Sequence, residues 1–204
     1  MEGLGAASGK DPSVVRRLVF DVLGVANIAA IVASDVAQFP GAGTGFKIYT
    51  VIVTLLATAT WLALRRYEHP VWLTILLQLA LLGHIAGRTI TIGETELYRT
   101  RLLFVRTDKV VHAFNSMTGA AYVTMLFRRE GPALSGWEPF TVIMVTCGVG
   151  SFIEIVEYLG VLLLPVTYVG NYANNAQDLI GNLFGATVGW ALARAAAGPP
   201  PRPG

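Results

Sequence analysis

Covalent cross-linking is closed to this chain, because Cys147 is its only cysteine and no internal disulfide can form. That residue lies between Thr146 and Gly148 in an apolar run, where a thiol serves as a small packing group. Charge is also scarce: 14% of the 204 residues are charged, against about 25% in a typical soluble domain. The net charge is only +2, and no basic cluster is interleaved with aromatics, which argues against a nucleic-acid partner. Metal-ligand spacing of a specific kind, such as His-Glu-x-x-His, is missing too.

What the chain does have is apolar sequence, 53% of it hydrophobic, gathered into long runs with the charges between them. A chain this short cannot hide so much apolar side chain in a water-soluble core. Six runs are candidate spans: Leu18–Phe39, Ile48–Leu64, Val71–Gly87, Val110–Phe127, Phe140–Leu164 and Leu179–Ala197. About 20 residues cross the hydrocarbon as a helix. The second and third runs are a little short, so Tyr49, Trp61 and Trp72 are expected at the interfaces as aromatic anchors. Lipid offers no partner to a bare backbone, so the spans must be helices. The reading is therefore an all-α, polytopic transmembrane bundle, residues 14–197, between a Gly/Ala/Ser-rich tail (1–13) and a Pro-rich tail (198–204). Arg16 and Arg17 ahead of Leu18 superficially suggest a signal peptide. The following run is too long for a signal core of roughly 7–15 residues and is interrupted by Asp21, so a retained first span is expected.

Orientation follows from Lys and Arg. One side carries nine (Lys10, Arg16, Arg17, Arg65, Arg66, Arg128, Arg129, Arg194, Arg202) and the other six (Lys47, Arg88, Arg99, Arg101, Arg106, Lys109), which predicts cytoplasmic termini in a bacterial cell membrane. Five of the six lie in the long connection from Arg88 to Lys109. There they either meet anionic headgroups or are partly neutralised by Glu94, Glu96 and Asp108 in a solvated turn.

Polar residues inside the spans each need a reason, because a charge near the bilayer centre costs about 2.5–3.5 kcal/mol on insertion scales. His84 and Arg88 end the third span. Asp108, Lys109, His112, Asn115 and Ser116 open the fourth. Glu154 and Glu157 lie late in the fifth, and Asp178 and Asn182 open the sixth. Helices that alternate in direction bring all of these to one side of the membrane, the outer one if the termini are cytoplasmic. Spacing adds detail: Asp108 and His112 share a face, and Cys147, Ser151, Glu154, Glu157 and Tyr158 form a small or polar seam. Asp178 and Asn182 line up with Gly185 and Gly189. Gly181, Gly185 and Gly189 form a small-xxx-small run that permits close helix approach. Asp21 and Asp35 fall on a similar face of the first span.

His112 with Glu154, Glu157 and Asp178 has the ligand types for a divalent metal ion. The same residues suit general acid–base catalysis, with His112 as base. Arg88, Lys109, Asn115 and Asn182 are the candidate contacts to a substrate, and an anionic lipid or lipid-linked molecule fits the two cations. A structural network in which acids and bases only neutralise one another, or a binding or transport role, uses the same residues.

Three segments also resemble known membrane proteins. Asp108-Lys109-Val-Val-His112-Ala-Phe114, Glu154-Ile-Val-Glu157 and Asp178-Leu179-Ile-Gly-Asn182-Leu-Phe-Gly185-Ala186 are similar to the VanZ-like and YjdF-type bacterial inner-membrane proteins, over Arg106 to Ala195. The YjdF type is the closer match. The resemblance implies a multi-spanning inner-membrane bundle of the cell envelope and no particular reaction. VanZ-like proteins are linked to reduced glycopeptide susceptibility, which is not carried over. Here the fifth–sixth connection lacks the usual arginine, and Asn174 and Asn175 stand where the YjdF type has Asp-Thr.

Overall fold

The computed structural model describes residues 11–38, 40, 43–130, 136–163 and 171–197. Six helices make up most of it: α1 (Pro12–Gln38), α2 (Thr44–Leu64), α3 (Val71–Thr89), α4 (Thr107–Glu130), α5 (Glu138–Leu163) and α6 (Tyr172–Ala197). Each covers one of the expected spans, and several begin earlier. Pro12 and Ser13, expected in the tail, are already helical: the Ser13 amide donates to Asp11 Oδ1 at 2.9 Å, and a proline fits the first helical position. Helix α6 starts well ahead of Leu179 because Asn171 Oδ1 accepts the Asn174 amide at 3.1 Å. Residues 1–10 of the expected N-terminal tail and the Pro-rich C-terminal tail lie outside the described residues.

The α3–α4 connection has more structure than a plain solvated turn. Two antiparallel hairpins, β1–β2 (Thr91–Ile92, Thr95–Glu96) and β3–β4 (Arg101–Leu102, Val105–Arg106), flank a 3-10 turn at Leu97–Arg99. Alternating Thr, Ile, Glu and Leu around Gly93 supplies the two-residue periodicity that strands need.

Helix α4 is the hub: it packs most extensively on α6 and also touches α3 and α5, while α6 packs on α5 and α1 packs on α2 and α3. Ion pairs confirm the alternating directions. At one end Arg17 meets Glu68 (3.5 Å), Arg65 meets Asp21 (3.0 Å) and Arg194 meets Glu138 (3.5 Å). Trp61 Nε1 donates to the same Asp21 at 3.1 Å, which accounts for that acid in the first span. Also at this end His69 lies tilted between Phe20 and Tyr122, with ring centroids 4.6 and 4.8 Å away, and donates from Nε2 to the Leu64 carbonyl at 2.7 Å.

Burial is inverted relative to a soluble domain. Buried positions are mostly small or polar, whereas Phe140, Val149, Phe152, Ile155 and Leu162 stand exposed along α5. Helices α1 and α5 are long and apolar enough to cross a membrane, and only 17% of the α5 apolar window is buried. Helices α2 and α3 carry shorter apolar stretches, Thr50–Leu64 and Val71–Gly87. An outer surface of this kind suits acyl chains and would aggregate in water.

Between α1 and α3 the attraction is partly polar. Buried Asn27 donates from Nδ2 to Gln78 Oε1 and also approaches the Gln78 carbonyl at 3.4 Å. Gln78→Leu is expected to cost about 0.6–1.7 kcal/mol, the range for interhelical hydrogen bonds in lipid. Equilibrium unfolding in mixed micelles measures it, and an unchanged midpoint would show the bond to be idle.

Candidate functional site

The start of α4, the start of α6 and the later part of α5 meet at the other end of the bundle. The seam between α4 and α6 makes this possible. A Cβ on Gly185 would lie 1.9 Å from the Ala113 carbonyl oxygen, and one on Gly189 would lie 2.0 Å from that of Met117. Only hydrogens at these two positions let the helices touch backbone to backbone. Above that contact Asn174, Asp178 and Asn182 recur every four residues on α6 and so share the face turned toward α4.

Lys109 anchors the layer nearest the helix ends. Its buried Nζ reaches Asp178 Oδ1 (2.7 Å), Asn174 Oδ1 (2.8 Å), Asp108 Oδ2 (3.2 Å) and the Asn174 carbonyl (3.2 Å). Asn174 Nδ2 donates to the second oxygen of Asp178 at 2.9 Å. Arg106 joins from β4, 3.1 Å from Asp108 Oδ2 and 3.3 Å from Asn174 Oδ1. Two cations and two carboxylates thus balance. Asp108 also sits in the first turn of α4, where the helix dipole favours an acid.

One layer inward the balance fails. His112 points Nε2 at Asp178 Oδ1 (3.5 Å) and Nδ1 at Glu154 Oε1 (3.8 Å). The Glu154 side chain is 6% exposed, and neither of its oxygens has a hydrogen-bond partner. Its neighbour Asp178 already shares the Lys109 charge, so Glu154 lies buried near acids, and His112 is the basic group within 4 Å of it among the described residues. An uncompensated buried carboxylate is costly, and either a proton or a cation relieves that cost. Ligand atoms of His112, Glu154 and Asp178 all lie within 4.8 Å of one another.

Deeper still, Ser116 donates to Asn182 Oδ1 at 2.8 Å, and the Asn182 amide fits against Gly150 of α5, where a Cβ would stand 2.5 Å from its Nδ2.

Of the residues expected from sequence, His112, Glu154, Asp178 and Lys109 come together, with half-buried Glu157 one turn beyond Glu154 and Asn182 one turn below Asp178. Asn115 does not join them, because it is exposed on another side of α4 from the α6 contact. Tyr158, expected on the α5 seam, is 56% exposed and turns outward. Arg88 lies in the last turn of α3, and its side chain and that of His84 fall outside the described residues. Arg106 and Asn174 were not expected as site residues. The signal for Asn174 was its four-residue spacing from Asp178, and for Arg106 its place just ahead of Asp108.

Comparison with known proteins supplies the wider setting. Residues 17–197 match the profile of a family described as "Predicted membrane protein (DUF2238)", which is most of the chain. The chain belongs to this family. No curated protein and no solved structure matches it. As a DUF2238 protein it is an integral membrane protein in contact with the lipid bilayer, a setting that suits the exposed apolar face of α5.

Proposed function

We propose that this DUF2238 protein is a multi-pass membrane protein whose His112–Glu154–Asp178 cluster holds a divalent metal ion and binds or acts on an anionic, lipid-linked envelope substrate. The carrying observation is Glu154, a buried carboxylate with no hydrogen-bond partner and no full cation of its own. Imidazole with two carboxylates is a donor set that zinc and related ions accept, with coordination positions left open for substrate or water. Glu157 is the adjacent acid, Lys109 with Arg106 and Asn174 holds Asp178 in place, and Arg88 at the end of α3 is assigned to the headgroup. The bound metal would supply Lewis acidity, while His112 and Glu154 fix its place. Both termini are assigned to the cytoplasm by the Lys and Arg distribution, so the cluster borders the outer leaflet. The resemblance to VanZ-like and YjdF-type proteins supports an envelope role.

Metal analysis of the purified protein tests the reading. Wild type incubated with Zn2+ or Mn2+ and desalted is expected to retain near-stoichiometric metal, and His112→Ala or Glu154→Gln to lose it with folding intact. A metal-free wild type sinks the proposal. An impermeant thiol label at Glu94→Cys in a Cys147→Ser background tests orientation, and reaction from the cytoplasmic side alone reverses it.

A second reading, a structural ion-pair network, is favoured by one feature: the two His112 nitrogens face different carboxylates, and one ion can take only one of them. Under it the same two variants lower the melting temperature, and neither metal nor lipid copurifies.

A further inference from the structure

The two hairpins of the α3–α4 connection have the same size and opposite turn chemistry. The first turns through Gly93-Glu94, with Gly93 at φ 64°, the usual solution for a tight turn in water. The second turns through Leu103-Phe104, and Leu103 alone among the described non-glycine residues has a positive φ, 59°. A leucine is strained there, where glycine or asparagine would not be. The described chain gives the tip little cover: Leu102 is 61% exposed, Leu103 87% and Phe104 83%.

The hairpin is nonetheless held to the bundle. The Thr107 amide donates to the Thr100 carbonyl at 3.0 Å, Arg106 pairs with Asp108, and the Tyr98 ring lies over Gly87, where a Cβ would be 2.2 Å from it. Its base is therefore fixed at the end of the bundle where α3 and α4 reach the membrane surface. Beside the tip, exposed Arg101 has no ion-pair partner among the described residues and is paired across the strands with another cation, Arg106. Like charges directly opposite are unfavourable unless an anion meets them. Arg106 has its anion in Asp108, whereas Arg101 does not.

We infer that the Arg101–Arg106 hairpin is a membrane finger. Leu102, Leu103 and Phe104 seat in the headgroup–acyl boundary of the leaflet that borders the polar cluster, and Arg101 meets the phosphates of anionic phospholipid there. Apolar side chains next to cations are what interfacial anchors use. The inference rests on membrane location alone and is independent of what the cluster binds.

Site-directed quenching tests it. Phe104→Cys and Glu94→Cys, each in a Cys147→Ser background, are labelled with bimane and reconstituted into phosphatidylcholine vesicles with and without phosphatidylglycerol. Both positions lie on one connection, so vesicle orientation affects them equally. Nitroxide-labelled phospholipid is expected to quench position 104 several-fold more than position 94, and aqueous iodide the reverse. Quenching at 104 by the lipid should rise with phosphatidylglycerol, and Arg101→Gln should abolish that rise. Equal iodide quenching at the two positions overturns the inference. Protection from iodide without nitroxide quenching also overturns it, since a protein surface would then be the cover.

Discussion

Gly185→Ala is expected to destabilise the protein by about 3 kcal/mol, the upper end of ordinary overpacking costs. The added methyl would sit 1.9 Å from the Ala113 carbonyl oxygen, a backbone atom that no rotamer change can move aside. Relief requires α4 and α6 to separate, which also pulls Lys109 from Asp178 and Ser116 from Asn182. Gly189→Ala acts on the same seam through Met117, so the double substitution is expected to prevent folding. Gly148→Ala is the comparison, because nothing lies within 4 Å of a Cβ there. It should be neutral or slightly stabilising, as alanine is the better helix former. Thermal unfolding of the three variants in one detergent decides the matter. A Gly185→Ala protein that melts with the wild type would mean that the helices do not touch as described.

Lys109→Met should cost about 3–5 kcal/mol, the range for removing one partner of a buried ion pair. Its side chain is 8% exposed and that of Asp178 4%, so water cannot replace the lost ammonium. Arg106 lies closer to Asp108 and would leave Asp178 with the Asn174 amide and the His112 ring. Adding Asp178→Leu removes the stranded charge, and the double variant is expected to regain a large part of the loss. Arg17→Met, which breaks an exposed pair with Glu68, should change stability by no more than about 1 kcal/mol. Denaturation midpoints for the set give the ranking, and equal losses for Lys109→Met and Arg17→Met would rule out a buried pair.

The legible part of this fold was the part written in hydrophobic runs. All six helices follow from them, and the glycine spacing on α6 points to a close helix contact without naming the partner, which the structure shows to be α4. Hydropathy places helix starts late, since the first two turns of α4 and α6 hold Asp108, Lys109, Asn174 and Asp178, residues that it assigns to loops. Alternation of direction was enough to place His112, Glu154 and Asp178 at one level. It does not say which side of α4 faces α6, so sequence spacing groups Asn115 with its neighbours although the helix turns it away. The second hairpin was hidden for a different reason: Leu103-Phe104 has none of the turn chemistry that marks such a bend in water.

Helices α4 and α6 carry no apolar stretch of spanning quality among the described residues, yet they form the most extensive pair in the bundle. Helix α4 precedes α6 in the chain and carries a lysine that has one acid beside it, Asp108, and the other, Asp178, 69 residues further on. Helix α5 is long and apolar enough to cross a membrane, whereas α4 is not and covers its polar face against Tyr172–Ala197. The pair is therefore held by small residues and buried polar partners rather than by apolar area, so each of the two helices depends on the other to cover its polar face.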